Sequence, residues 1–553
     1  MPTIEVNYDD LISLIGKKIP LEELKNEGIL YAKGEIEEVD GKKMKIDLKD
    51  TNRPDLWSAE GIARELQGRY GAKKGVPKYR IKSSGLIVKV DKKLKNIRPY
   101  TVCAVVRGLK ITPDIISQMI QLQEKVSITY GRNRKEVAIG IYDFNKIKSP
   151  ITFTAVGPKG IKFVPLEFKD ELTPEEILEK HPKGREYRHL LEGLKEYPIF
   201  IDADGEVLSM PPIINSDYTG KVTEETKDVF IECSGFDLKF LLPALNVIVA
   251  ALAERRGEIQ SVKIEYPDGI KITPDMKPKK MKIDINYANK ISGLNLKAEK
   301  ICELLEQARY DAVVKGKNIE VLYPAYRQDI MHQRDVLEDI VISYGYNKIE
   351  SMPVKIATVG GICEAEEFSD SITEILVGLG LQEIMSYTLT NKKHLFEKMN
   401  IHEEKIVEIS NPVSINWSVF RSWLLPSLME FLSNNRHREF PQKIFEIGTC
   451  VVLDEKQETK TRDDKKLAVA ISNSLVSYEE IISAVDALLR NIGIKYRLKR
   501  TEHSSFIEGR TAHIIINEKT AGIVGEINPL ALEHWGLENP VVALELDLGM
   551  LKK

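Results

Sequence analysis

QKIFEIGTCVV at residues 442–452, KLAVAIS at 466–472, TAHIIIN at 511–517 and VVALELDL at 541–548 are four apolar-rich runs near the C-terminus. Each has the length and the β-branched content of a buried strand. Helical patterns stand among them, as in DSITEILVGLG at 370–380. Strand runs mixed with helices predict an antiparallel sheet carrying helices over residues 360–553.

Working toward the N-terminus, MKIDINYANKI, the helix KAEKICELLEQARY, the strand NIEVLYP and QRDVLEDIVISYGY mark a second α+β unit, expected at 275–352. The Pro-, Gly- and Asp-dense YPDGIKITPDMKP at 266–278 reads as the linker before it. A third unit is expected at 91–265. It opens on the strand-like YTVCAVVRGL and the helix TPDIISQMIQLQEKV, with Thr112 as cap and Pro113 at the first helical position, and closes near the apolar helix FLLPALNVIVAALA. A small α+β unit is expected at 1–90, with the strand KMKIDL and a helix capped at Ser58 whose Glu60 and Gly71 suit its two ends. The chain therefore reads as a multidomain α+β protein, in keeping with its 553 residues.

Lys plus Arg number 80 against 83 Asp plus Glu, a net charge of −3, so there is no global positive field to hold nucleic acid. Any RNA contact has to be a local patch. The five cysteines form no C-x-x-C pair, which points away from a zinc ribbon or a disulfide framework and toward reducing cytoplasm. MPTIEVNYDD lacks the basic stretch and apolar core of a signal peptide, and the longest apolar run contains Pro243 and Asn246 and is shorter than the ~20 residues of a membrane span. A cytoplasmic protein without a membrane partner is expected.

Phosphate-loop, zincin and serine-hydrolase signatures are absent. The clearest constellation is acidic: Asp329 is followed by Asp335, Glu338 and Asp339, and the last three share one face of a helix. Ile342 falls among these acids and fits neither face. Such carboxylates repel unless neutralised, and Mg2+ or Ca2+ is one natural neutraliser; a solvated acidic face is the simpler account. The histidines, among them His181, His189, His503 and His513, show no metal spacing and read as surface or satisfied core residues. GEVLSMPPIINSDYTGKVT, from Gly205, reads either as a loop lining a pocket or as a structural turn in which Ser209, Asn215 and Ser216 satisfy backbone groups.

Taken together, these stretches resemble the β subunit of phenylalanyl-tRNA synthetase in its short archaeal and eukaryotic form. TNRPDLWSAEGIAREL resembles the family's N-terminal signature; RKEVAIGIYDF, HPKGREYRHLL and VLSMPPIINSDYTG resemble its editing domain. PAYRQDIMHQRDVLEDIVISYGYNKI is similar to its metal-bearing domain, of winged or helical DNA-binding-like type, and FRSWLLPSLMEFLSNN with KIFEIG to its class II synthetase-like domain. The resemblance implies an α2β2 ligase that attaches phenylalanine to tRNA(Phe). ATP would be bound by α, while β supplies editing and assembly. It also implies Mg2+ on Asp329, Asp335, Glu338 and Asp339, with ligands or waters shared with α. The C-terminal unit has no Gly-rich string ending in Glu-Arg, and Phe420-Arg421 is followed by Ser-Trp, so a pseudo-catalytic domain packed on α is expected. Compared with the longer bacterial form, the resemblance to the short form implies neither the early tRNA-binding OB domain nor the C-terminal anticodon-binding domain, so anticodon recognition is expected elsewhere.

A pocket for phenylalanine's ring rejects an added hydroxyl only about a hundredfold, so tyrosine slips through and has to be removed afterwards. The resemblance puts Ser209 of LSMPP and Glu232 and Ser234 of FIECSG in the editing pocket, with Glu232 as acceptor for the tyrosine hydroxyl. The family often has threonine where Ser234 stands. Without a Ser-His-Asp set, a positioned water is the expected nucleophile. Two other readings compete: an assembly and RNA-binding subunit with a decayed pocket, and a stand-alone metal-dependent hydrolase built on Asp329 to Asp339.

Overall fold

In the computed structural model, which describes residues 2–354 and 356–551, the four C-terminal runs lie in one seven-stranded sheet. Its order is Gln382–Glu383, Gln442–Leu453, Thr461–Ser472, Val541–Asp547, Lys519–Ile527, Phe506–Ile516 and Arg497–Arg500. All pairings are antiparallel except that of the first two strands. The period of two sends alternate side chains to opposite faces. Phe445, Val469 and Leu544 enter a core under the helices Glu364–Gly378 and Tyr478–Asn491, while Ile444, Ala470 and Ala543 enter one under Leu425–Asn434 and Pro529–Trp535. This sheet belongs to the unit Val354–Lys553; the rest of the chain forms the unit Met1–Pro353.

The second unit holds three sheets. The first is three-stranded, ordered Thr3–Asn7, Lys43–Leu48, Gly34–Asp40. It is followed by the helix Ala59–Arg69, where Ser58 Oγ accepts from Gly61 N at 3.1 Å as the cap pattern predicts. This helix is buried along its length because backbones press on it: a Cβ on Gly61 would stand 1.8 Å from Asp55 O, and one on Gly68 2.2 Å from Gln307 O. The largest sheet runs Ile214–Asn215, Val207–Met210, Tyr197–Ile201, Ile151–Val156, Lys82–Val90, Glu258–Tyr266, Tyr100–Arg107, Val229–Gly235 and Val137–Asp143, with Gly269–Thr273 added on Glu258–Tyr266. The helix Leu238–Glu254 is buried on it, and no helix among the described residues is long and apolar enough to cross a membrane.

The large sheet moves two expected boundaries. Lys82–Val90 pairs in parallel with both Glu258–Tyr266 and Ile151–Val156, so the sheet begins before residue 91. Residues 266–278 are not simply a linker, because Gly269–Thr273 folds back antiparallel on Glu258–Tyr266 across Pro267 and Asp268. Parallel pairing at long sequence separation leaves no local trace, and a tight turn carries the same Pro, Asp and Gly as a linker. Beyond it, Lys279–Asp284, Asn318–Tyr323 and Asp311–Lys315 form a three-stranded antiparallel sheet with the helices Ile285–Ser292, Ala298–Gln307 and Gln333–Tyr344.

Candidate functional site

A cavity of about 560 Å³ opens against Val137–Asp143, the last strand of the large sheet. Its apolar wall comes from Ile116, Met119 and Ile120 of the helix Pro113–Lys125 together with Ile139 and Ile141. Residues from the opposite end of the sheet order, Ser209, Pro211, Pro212, Ile213, Ile214 and Asn215, close the other side. Arg134 ties the two ends: its Nη1 donates to Ile213 O at 2.9 Å and its Nη2 to Glu124 Oε1 at 2.7 Å. Within the Gly205 segment, Ser209 and Asn215 line the cavity, whereas Ser216 caps Asp217–Gly220 by accepting from Thr219 N. His181 lines the cavity as well, but its Nδ1 accepts from Lys183 N at 3.1 Å and its Nε2 meets Leu166 O at 3.1 Å. It is a satisfied cap and is not free to act as a base.

Glu232 reaches this cavity from Val229–Gly235, a strand flanked on both sides and therefore fully buried. The carboxylate is 2% exposed, and no ion pair among the described residues neutralises it. Its Oε1 accepts from the Tyr142 hydroxyl at 3.2 Å, and its Oε2 is buried with no hydrogen-bond partner. Burial pushes its pKa up to about 7, against the opposing pull of Arg98, the Tyr142 hydrogen bond and the nearby Ser234 hydroxyl. Arg98 is itself buried and lowered to about 10 by desolvation. Ser209 and Glu232 thus come together through Tyr142, whose hydroxyl also lies 2.8 Å from Ser209 Oγ. Ser234 does not line the cavity: its Oγ accepts from Arg98 Nε at 3.1 Å, one step along the same face of the strand. Sequence reasoning missed Tyr142 and Arg98 because neither carries a signature. The available hint was Gly140, a glycine inside a strand pattern, which signals close approach.

The four acids behave differently. Arg327 Nε and Nη2 hold Asp329 at 2.8 and 2.6 Å, and Nη2 also holds Asp339 at 2.8 Å. Tyr310 donates to Asp339 at 2.6 Å. Burial alone would raise Asp339, yet Arg327, Arg53, Lys33 and Arg69 hold it well below the usual carboxylate range. Asp335 accepts from Met331 N and His332 N, closing a capping box at the start of Gln333–Tyr344. Glu338 is half-exposed and pairs with Lys33 at 3.1 Å. Among the described residues no group of three or more acids, histidines or cysteines is placed to hold a metal ion. The expected Mg2+ set therefore does not fit: Asp329 and Asp339 converge on a guanidinium where a cation was expected, Asp335 is used by its own helix, and Glu338 pairs with Lys33. Ile342 is buried for the same reason, since the N-terminal segment covers the acidic face with Lys33, Arg53 and Arg69.

In the C-terminal unit, Arg421 is 2% exposed and is spent on the fold. Its Nη1 donates to Glu446 Oε1 at 2.7 Å and to Ser386 Oγ at 2.8 Å, and its Nε to Thr449 O at 2.9 Å. Met385, Tyr387, Val413, Ile415 and Trp417 are exposed, and the Tyr387 and Trp417 rings meet edge to face at 5.1 Å.

The fold and the site define a mixed α+β multidomain protein with a buried carboxylate lining a cavity of its largest sheet, and the comparisons place it among tRNA synthetase subunits. Residues 349–548 match the family described as phenylalanyl tRNA synthetase beta chain CLM domain, 281–346 the tRNA synthetase B5 domain and 88–241 the B3/4 domain. The phenylalanine–tRNA ligase beta subunits of Pyrococcus abyssi and Methanocaldococcus jannaschii are 53% and 42% identical to this chain, covering 100% and 99% of it and 100% of each relative. A crystal structure of an N-terminal fragment of the Pyrococcus horikoshii phenylalanyl-tRNA synthetase beta subunit superposes with a TM-score of 0.61 at 52% identity, over 62% of this chain and 100% of the fragment. The chain belongs to the phenylalanine–tRNA ligase beta-subunit family.

Proposed function

We propose that this chain works in the cytoplasm as the β half of a phenylalanine–tRNA ligase and that its cavity hydrolyses Tyr-tRNA(Phe). One observation carries the reading: a buried carboxylate, Glu232, lines an apolar cavity with an oxygen that nothing in the protein satisfies. The tyrosine hydroxyl can satisfy it; the phenylalanine ring cannot, and leaves the acceptor unpaired at a cost of about 1–3 kcal/mol. Ser209 has no histidine base beside it, so hydrolysis proceeds by a water that adds to the ester carbonyl. The carbonyl carbon then breaks from the ribose oxygen, which takes the proton, releasing tyrosine and tRNA. Aminoacylation, with its ATP, belongs to a partner α subunit. The paired Arg421 and the exposed Met385–Trp417 surface support an assembly role for the class II-like C-terminal unit. The four acids support no metal step in this chain.

The test is deacylation of Tyr-tRNA(Phe) and Phe-tRNA(Phe) by the complex with α. The wild type clears the tyrosyl ester selectively, and Glu232→Ala slows that reaction about ten- to a hundredfold. Wild-type rates from Glu232→Ala would defeat the assignment.

A further inference from the structure

Ser209 and Glu232 stand on strands that the sheet order separates. Val207–Met210 lies near one end of the path and Val229–Gly235 beside the other. The side chain that joins them is Tyr142, on the terminal strand Val137–Asp143. It is fully buried and is not among the residues lining the cavity, so it stands behind Glu232. Its hydroxyl lies 2.8 Å from Ser209 Oγ, 3.2 Å from Glu232 Oε1 and 3.3 Å from Asn215 Oδ1. A phenol has one proton to give, and Ser209 can donate to the phenol oxygen while Tyr142 donates to Glu232. The result is a chain of hydroxyls that ends on one oxygen of the carboxylate and leaves the other free.

The space for this arrangement comes from a glycine. Gly140 faces Glu232 across the strand pair, and a Cβ there would stand 2.1 Å from the Tyr142 hydroxyl oxygen. The ring leans along its own strand into that gap and packs at 5.8 Å from Phe230. Gly140 is not needed for a left-handed backbone, since its φ is not positive. What the glycine supplies is room for the phenol.

Building on the editing reading, we propose that Tyr142 is a positioning residue for substrate selection. Its hydroxyl occupies Glu232 Oε1 and fixes the carboxylate so that Oε2 is the acceptor presented to the tyrosine hydroxyl of the bound ester. The groups around Glu232 fit this division. Arg98, from the segment before Tyr100–Arg107, Tyr142 and Ser234 favour the ionised carboxylate, while Cys103 and Cys233 are buried thiols pushed up and neutral. On the cavity side stand Glu124, Arg134 and His181, all with hydrogen-bond partners already described, and the lining also carries Glu167, Lys183, Asp217 and Lys221. Removing the Tyr142 hydroxyl takes away one of the three interactions, with Arg98 and Ser234, that oppose burial, so Glu232 ionises at higher pH.

The experiment uses the complex with α and follows deacylation of Tyr-tRNA(Phe) and Phe-tRNA(Phe) from about pH 5.5 to about pH 8.5. Tyr142→Phe should hydrolyse the tyrosyl ester about ten- to a hundredfold more slowly, lower the tyrosine-to-phenylalanine selectivity, and move the acid limb of the rate profile to higher pH. Gly140→Ala, which displaces the same hydroxyl, should do likewise. A Tyr142→Phe complex with the wild-type rate and limb would overturn the proposal. So would an equal loss on both esters with the limb unmoved, or a variant that no longer folds, since either gives the hydroxyl a packing role only. A wild type that leaves Tyr-tRNA(Phe) intact would instead remove the editing reading, and this proposal with it.

Discussion

Replacing Glu232 with glutamine should cost function and add stability, in a way that pH separates from every other effect. A carboxylate whose pKa rises from 4.5 to about 7 on folding is penalised in the native state once solution pH passes its ordinary value. The sign follows from proton binding. Between the two values the native state holds more protons than the unfolded chain, so stability falls as pH rises through that window and levels off above it. At about 1.4 kcal/mol per pH unit, the wild type should lose roughly 2–3 kcal/mol through this one group between pH 5 and pH 8. Glu232→Gln lacks the titration, and all other groups cancel when the two chains are compared at each pH. A constant offset from the amide's own hydrogen bonding leaves the difference in slope untouched. Urea unfolding of the full chain, with peptides from Val229–Gly235 followed by pulsed hydrogen exchange, measures the relevant transition. Parallel curves for the two proteins from pH 5 to pH 8 would refute the reasoning, because they would mean that Glu232 is not held near neutrality by burial.

Arg327→Met leaves Asp329 and Asp339 buried without their guanidinium and should cost about 3–5 kcal/mol, read as lost exchange protection in Gln333–Tyr344; EDTA should leave the wild type unchanged, and a chelator-sensitive wild type would restore the metal. Asp335→Ala removes the reciprocal half of a capping box and should cost ~0.5–2 kcal/mol in the same helix without altering deacylation; a change in editing rate would contradict the cap role. Replacing Met385, Tyr387 and Ile415 with serine should weaken association with α in native mass measurements while the isolated chain becomes more soluble; unchanged assembly would move the interface elsewhere.

The parts of this molecule that local chemistry specifies were legible in the residues. Ser58, Thr112 with Pro113, and the alternating runs from Gln442 to Asp547 name their own helices and strands, because caps and period-two patterning act within a few residues. Lys82–Val90 was not legible as part of the large sheet, since its partners begin at Ile151 and Glu258. The acidic quartet shows the same limit from the other side. Helical spacing does bring Asp335, Glu338 and Asp339 onto one helix, yet spacing says nothing about what faces them, and the facing groups are Lys33, Arg53 and Arg69 from more than 250 residues upstream, with Arg327 close by.

Such distance also explains why Glu232 is singled out only through the family resemblance, while its support is not singled out at all. Glu232 sits in the run FIECSG, in a strand paired on both sides that buries it completely, and nothing in that run alone says what the acid faces. Tyr142 and Ser209 look like ordinary strand residues: Tyr142 meets that acid from the strand paired beside it, about 90 residues upstream, and only closure between the ends of the sheet order brings Ser209 to both. A conventional structural pairing would have neutralised Glu232, as Glu446 is neutralised by Arg421 in the other unit. Here the fold instead gives one oxygen a phenol and leaves the second empty in a cavity. Leaving a buried acceptor unsatisfied is destabilising in the free protein, and tyrosine, unlike phenylalanine, relieves it on binding. The same unpaired oxygen therefore accounts for both the stability expected from Glu232→Gln and the selectivity expected to disappear with it.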